Sequence, residues 1–397
     1  MILYSKHIYL ADQEIEGYLT LEGGKITSIS SACDKEFVDC GDDLILPGFI
    51  DLHIHGWGTG SFWMEKSASS LYEMKKHLPQ QGVTSFLATT AADPIEDILH
   101  SIHEAEKVMD HQSGDTECLG IHLEGPFINK EFKGMQDEDN CIDPSLILMK
   151  SFYETQKHKS SIKLMTIAPE LPHAAEVIAY CHERGIQCSI GHSAATFETI
   201  KSMKGLGLGG VTHMFSGMKG LHHRELGVVG SALYFEDLMC EFAKQTGQTV
   251  AHEAFELVYR AKGSKGIMLC TDCAGLAKTN KAHYHYIRKQ TFSPLDGKLL
   301  VTNDDGHTEI IDPLDYEAVK NLEMGYLESV INMKEHTKMS IHDIIRMTSM
   351  NPAKYIGVDD RKGSIEIGKD ADLLVMSPQF ELKMVLCKGE NAYGSIR

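Results

Sequence analysis

Apolar and polar positions alternate through residues 1–45, above all in HIYLADQEIEGYLTLEGGKITSIS, with turn residues at Ala11-Asp12 and Gly23-Gly24. A period of two predicts short strands. Residues 363–397 have the same texture, in GSIEIGKDADLLVMS and ELKMVLCKGE, with glycine as punctuation. Two strand-rich ends around a long middle predict one small β domain built from residues 1–46 and 364–397. The middle, 47–363, has a different rhythm. Short apolar runs at 44–55, 84–90, 118–125, 162–170, 187–193, 209–215, 238–243 and 266–272 alternate with helix-like stretches such as 65–81, 94–110, 171–184 and 252–262. Eight such units are the count of a TIM (β/α)8 barrel, so the expected class is α/β.

Composition agrees with that size. The chain has 397 residues, 42% of them hydrophobic, enough for one large barrel with an appendage. Charge narrows the partners. A formal net charge of -18, from 56 acidic against 38 basic residues, argues against nucleic acid or an anionic membrane as partner. A phosphorylated small molecule stays open, because a few local basic groups suffice for it. No signal segment and no run of apolar residues long enough to span a bilayer is seen, and the ten cysteines lack zinc-ribbon spacing. A cytoplasmic protein with free thiols is expected.

The chemistry gathers where the predicted strands end. His53 and His55 close the first run, Glu124 the third, His192 the fifth, His213 the sixth and Asp272 the eighth. In a TIM barrel that end carries the active site. His53 and His55 are two apart, so on a strand they share a face, and two such imidazoles suit a divalent ion. Taken singly, a strand histidine is more often a satisfied core group and a terminal glutamate is more often solvated. The joint placement makes His53, His55, Glu124, His192 and His213 a candidate metal site for zinc, or for iron, manganese or cobalt, with one or two ions per subunit. His122 is read as packing beside it. Asp272 fits a carboxylate that takes a proton from an activated water and returns it to a leaving group, although a fifth ligand or a helix cap is compatible with its position. Cys270 is read as core.

The stretches LPGFIDLHIHG, GVTSFLATT, GIHLEGPFIN, IAPE, GHSAAT, VTHMFSGMKGLHHRELG, LCTD and MTSMNPAKYIGV with KGSIEIGKDADLLV together resemble the N-acetylglucosamine-6-phosphate deacetylases of the amidohydrolase superfamily. IAPE, without a lysine after the fourth strand, agrees with that branch. The resemblance implies a β-sandwich from the two termini and Glu124, His192 and His213 as main ligands; some members lack the His pair and use one metal, and His53 and His55 leave a second open. It also implies a homodimer in which Arg224, beside His223, reaches the partner's substrate phosphate. The implied reaction is hydrolysis of an N-acetyl amide, with Asp272 moving the proton and acetate and an amino sugar as products.

Substrate-facing positions depart from that family. Gln136 in KGMQ stands where the family has a histidine that touches the substrate carbonyl, and it can donate a hydrogen bond but not become cationic. Ser216 and Gly217 stand in SGM where the family has NAM. In KQTGQTVAH, Thr249 takes the place of a family histidine, with His252 the nearest imidazole. KNLEMGYLES replaces the family's last helix start, and 276–312 is unmatched. Three readings follow: deacetylation of an N-acetylamino-sugar phosphate, the same chemistry on another N-acyl or cyclic amide, or a metal-holding sugar-phosphate sensor without catalysis.

Overall fold

A computed structural model describes residues 1–112, 114–243, 249–285 and 288–396. Eight parallel strands form its centre: β1 (Phe49–Ile54), β2 (Val83–Thr89), β3 (Glu117–Glu124), β4 (Ile162–Ile167), β5 (Gln187–Ile190), β6 (Leu208–Val211), β7 (Met239–Ala243) and β8 (Ile267–Cys270). They pair in chain order. Almost every residue in them is buried, as in parallel strands covered on both faces. Side chains close the seam between β8 and β1. Asp51 accepts from the Thr271 hydroxyl at 2.7 Å and from the Thr271 N–H at 3.2 Å, and the Asp272 N–H donates to the His53 carbonyl at 2.8 Å. Burial raises the Asp51 carboxyl to about 7.

Both termini enter one second sheet of eight strands, in which Leu373–Met376 pairs with Leu44–Pro47. These two strands are buried on both faces, and the period of two divides their side chains. Leu44, Leu46, Leu374 and Met376 join the barrel core. Ile45, Leu373 and Val375 join the sheet's own core with Leu3, Leu19 and Leu386. The apolar run 44–55, read as one barrel strand, is therefore two. Leu44–Pro47 belongs to the terminal sheet and only Phe49–Ile54 to the barrel. Gly48 makes the crossing, where a Cβ would lie 2.1 Å from the Thr84 hydroxyl oxygen.

An ionic cluster joins the two parts. Arg361 grips Glu117 with both guanidinium nitrogens, at 3.0 and 3.1 Å. Lys362, almost fully buried, meets Glu117 at 2.6 Å and Asp370 at 3.1 Å, and also pairs with Asp372. Burial opposes charge on Glu117, but Lys362 and Arg361 outweigh it and bring its carboxyl down to about 2.

After β8 the chain forms a four-stranded antiparallel sheet over 283–311 that the sequence reading left without elements. Its apolar side, with Phe292, Leu299 and Val301, packs on Ala274, Leu276 and Ala277 just beyond Asp272.

Candidate metal centre

His192, His213 and Asp272 share one backbone device. Each lies two residues past the last strand residue, Ile190, Val211 and Cys270 respectively. Each also has a positive φ, of 48°, 32° and 50°. Left-handed backbone at a non-glycine residue persists only where its surroundings over-determine it. Here they do: the His213 N–H is held by Glu241 at 3.0 Å, the Asp272 N–H by the His53 carbonyl, and the His192 carbonyl accepts from the Asn129 N–H at 2.9 Å.

The side chains converge on Glu124, which is buried at 2% exposure. Its Oε1 stands 3.1 Å from His192 Nε2, 3.0 Å from His213 Nε2 and 3.4 Å from His53 Nε2. Its Oε2 stands 3.1 Å from His55 Nε2. Asp272 Oδ1 lies 3.4 Å from Nε2 of both His53 and His55. Two ligand groups, His53–His55–Glu124 and Glu124–His192–His213, have Glu124 in common, and a third among the described residues, His53–Glu241–Cys270, shares His53.

These spacings fit an ion. The imidazole nitrogens themselves approach to 3.1 Å between His192 and His213 and to 3.3 Å between His53 and His55. A hydrogen bond can satisfy only one lone pair per proton, whereas donors about 2.0–2.1 Å from a tetrahedral ion stand about 3.3–3.4 Å apart. Two of the four outer ring nitrogens agree. His53 Nδ1 meets Glu241 at 2.9 Å and His192 Nδ1 meets the Phe132 carbonyl at 2.8 Å, the kind of backing that fixes a ligating ring. Without an ion, protons fill the role. Burial disfavours a charged His55, but Asp272 and Glu124 raise it to about 9. Burial would raise Glu124, yet His53, His192 and His213 hold it well below the carboxylate range.

The cavity over this cluster has a volume of about 200 Å³. Gln136, Ser216, Gly217 and Thr249 line it. Gly217, at φ +56°, leaves little space for a side chain: a Cβ would lie 3.1 Å from His192 Nδ1. Gln136 is already engaged, its amide donating to Glu124 Oε2 at 2.6 Å and its oxygen accepting from the Ala92 N–H at 2.8 Å. His252 is not brought to the cavity, because its ring stacks on His336 at 3.9 Å, three residues along the chain from Thr249. His223 and Arg224 are exposed and lie outside the lining. Residues 244–248 of KQTGQTVAH lie outside the described residues. His122 packs beneath, bonded to the Leu52 carbonyl and the Thr166 hydroxyl, and burial lowers it to about 3, so it stays neutral.

The amidohydrolase family model matches residues 44–392. The chain is 33% identical over 391 residues to the N-acetylglucosamine-6-phosphate deacetylase of Bacillus subtilis (strain 168), covering 95% of this chain and 93% of that one. The crystal structure of the deacetylase of that name from Thermotoga maritima superposes with a TM-score of 0.80 at 30% identity, covering 100% of both chains. The chain belongs to the amidohydrolase family, in its N-acetylglucosamine-6-phosphate deacetylase branch. A relative with another sugar in its name, the N-acetylgalactosamine-6-phosphate deacetylase of Escherichia coli O157:H7, is 26% identical over 350 residues, 88% of each chain. As an amidohydrolase the chain is a hydrolytic enzyme of a metal-dependent family, and its (β/α)8 barrel with a separate terminal sheet is that family's fold.

The amidohydrolase site holds residues that sequence reasoning passed over. Glu241 ties His53 to the His213 backbone through one oxygen. A charge inside the apolar run LMCEFA was the available signal. Trp63, Met135, Tyr284 and His285 line the cavity, and the last two arrive on the sheet over 283–311.

Proposed function

We propose that this amidohydrolase removes the acetyl group of an N-acetylamino-sugar 6-phosphate, N-acetylglucosamine 6-phosphate first. The observation that carries the reading is Glu124, whose two oxygens serve both ligand groups while Asp272 faces them. A divalent ion held by Glu124, His192 and His213, and a second by His53 and His55, would supply an activated water and positive charge for the developing oxyanion. Zinc is the first choice for that donor set. Asp272 takes the proton of the attacking water and hands it to the departing nitrogen as the amide C–N bond breaks, giving acetate and the amino-sugar phosphate. The Gln136 amide has two hydrogens. One is given to Glu124, which leaves the other for the substrate carbonyl. His223 and Arg224, exposed on one loop, supply the phosphate contact across a homodimer in the cytoplasm.

A second reading keeps the chemistry and changes the amide. Among the described residues no lysine or arginine lines the cavity, while Trp63 and Tyr284 do, which favours an N-acyl substrate without a phosphate. Acetate release from zinc-loaded enzyme separates the two. Turnover of N-acetylglucosamine 6-phosphate or its galactosamine epimer, with a large KM rise in Arg224→Ala, supports the first. Turnover of unphosphorylated N-acyl compounds alone, unaffected by that substitution, sinks it. No turnover of any N-acyl compound would leave a sensor.

A further inference from the structure

The backbone that follows Asp272 is gripped by one carboxylate. Glu323, 7% exposed, precedes the helix Tyr326–His336. Its Oε1 accepts from the Ala274 N–H at 2.7 Å, and its Oε2 accepts from Gly275 N–H at 2.8 Å and Leu276 N–H at 3.1 Å. Consecutive amides turned toward one point form a nest for an anion. Here the chain supplies that anion itself, from about fifty positions downstream. The other side of the segment is fixed to the end of β1: His55 and Gly56 each donate to the Cys273 carbonyl at 2.9 Å, and the Ser61 hydroxyl donates to the Ala274 carbonyl at 2.7 Å. Asp272, with its φ of 50°, immediately precedes these anchors.

We propose that Glu323 is a positioning residue for Asp272. It fixes the path of 274–276, and with it the left-handed turn that aims the Asp272 carboxylate at His53 and His55. It does so from the stretch KNLEMGYLES, where the chain leaves its family's pattern. The role rests on the reading of Asp272 as the proton carrier. Charge and symmetry both matter to the grip, because a carboxylate accepts on both oxygens. A glutamine of the same size must turn its NH₂ toward at least one of the three amides.

Glu323→Gln therefore tests acceptance rather than packing. Hydrogen exchange in the peptide 271–279 is expected to be slow in the wild type. In the variant it should quicken about tenfold or more, the size of a lost charge-assisted bond, while exchange in the helix Ile95–Asp110 stays unchanged. The kcat of the zinc-loaded variant should fall about tenfold or more with KM within about twofold and metal content intact. Wild-type exchange in 271–279 and wild-type kcat in the variant would overturn the proposal, as would faster exchange without loss of kcat. If the variant does not fold, the wild type still decides, since fast exchange of 271–279 there rules the grip out. An inactive wild type counts against the deacetylase reading, and exchange then judges Glu323 by itself.

Discussion

Two places in the molecule concentrate buried charge, and they are built on opposite principles. At the foot of the barrel Glu117, Asp370 and Asp372 meet Arg361, Lys362 and Lys25, so each carboxylate has a fixed cation against it. At the other end the only ion-pair partners of Glu124, Glu241 and Asp272 among the described residues are imidazoles, with no lysine or arginine in range. The first cluster is neutralised by the chain and ties the terminal sheet to the barrel. The second leaves its neutralisation to something exchangeable, protons or a metal ion. Strand β3 carries Glu117 of the first cluster at its start and Glu124 of the second at its end, so position on the strand decides which is structural and which chemical.

Breaking the upper cluster at its proton carrier has the largest expected effect. Asp272→Asn should lower kcat by ~10²–10⁴-fold, with metal content by elemental analysis and the urea midpoint nearly unchanged. Breaking the lower cluster should do the reverse. Lys362→Met leaves Glu117, Asp370 and Asp372 short of a cation and should cost ~3–5 kcal/mol in urea unfolding, with kcat of the folded fraction retained.

The lower cluster also sets an acid limb. The Glu117 carboxyl is depressed from 4.5 to about 2. Its contribution is thus fully present above pH ~4.5 and is lost as pH falls toward about 2, because only the unfolded chain takes up the proton in that window. The slope of stability against pH there should flatten in Glu117→Gln, and an unchanged slope would assign the limb to other groups. The smallest effect sharpens the upper cluster. Gln136→Ala removes the amide at 2.6 Å from Glu124 and should weaken zinc by ~10- to 100-fold in competition with a chelator.

What was legible in the sequence follows from the same geometry. His53, His55, Glu124, His192, His213 and Asp272 could be grouped because a barrel brings strand ends together whatever lies between them. The run 44–55 misled because strands buried on both faces carry no alternation, so nothing polar marked the crossing at Gly48. The sheet over 283–311 was missed although Asp296-Gly297 pairs Leu295 with Lys298, a two-residue hairpin signal in plain view. Gln136, read as a substrate contact, does line the cavity. Its bond to Glu124 depends on how the loop after β3 folds back, which no local pattern records. His252 was chosen for its nearness along the chain to Thr249, but the helix it begins carries its ring to His336.

A zinc titration tests the metal centre most directly. Chelator-stripped enzyme is given zinc in steps, and acetate released from N-acetylglucosamine 6-phosphate is followed beside the same series in Glu124→Gln. Activity near zero without metal, rising to a plateau at one or two ions per subunit in the wild type and staying flat in the variant, is the expected result. Full turnover by the stripped enzyme, or by the variant at the same zinc, would contradict it.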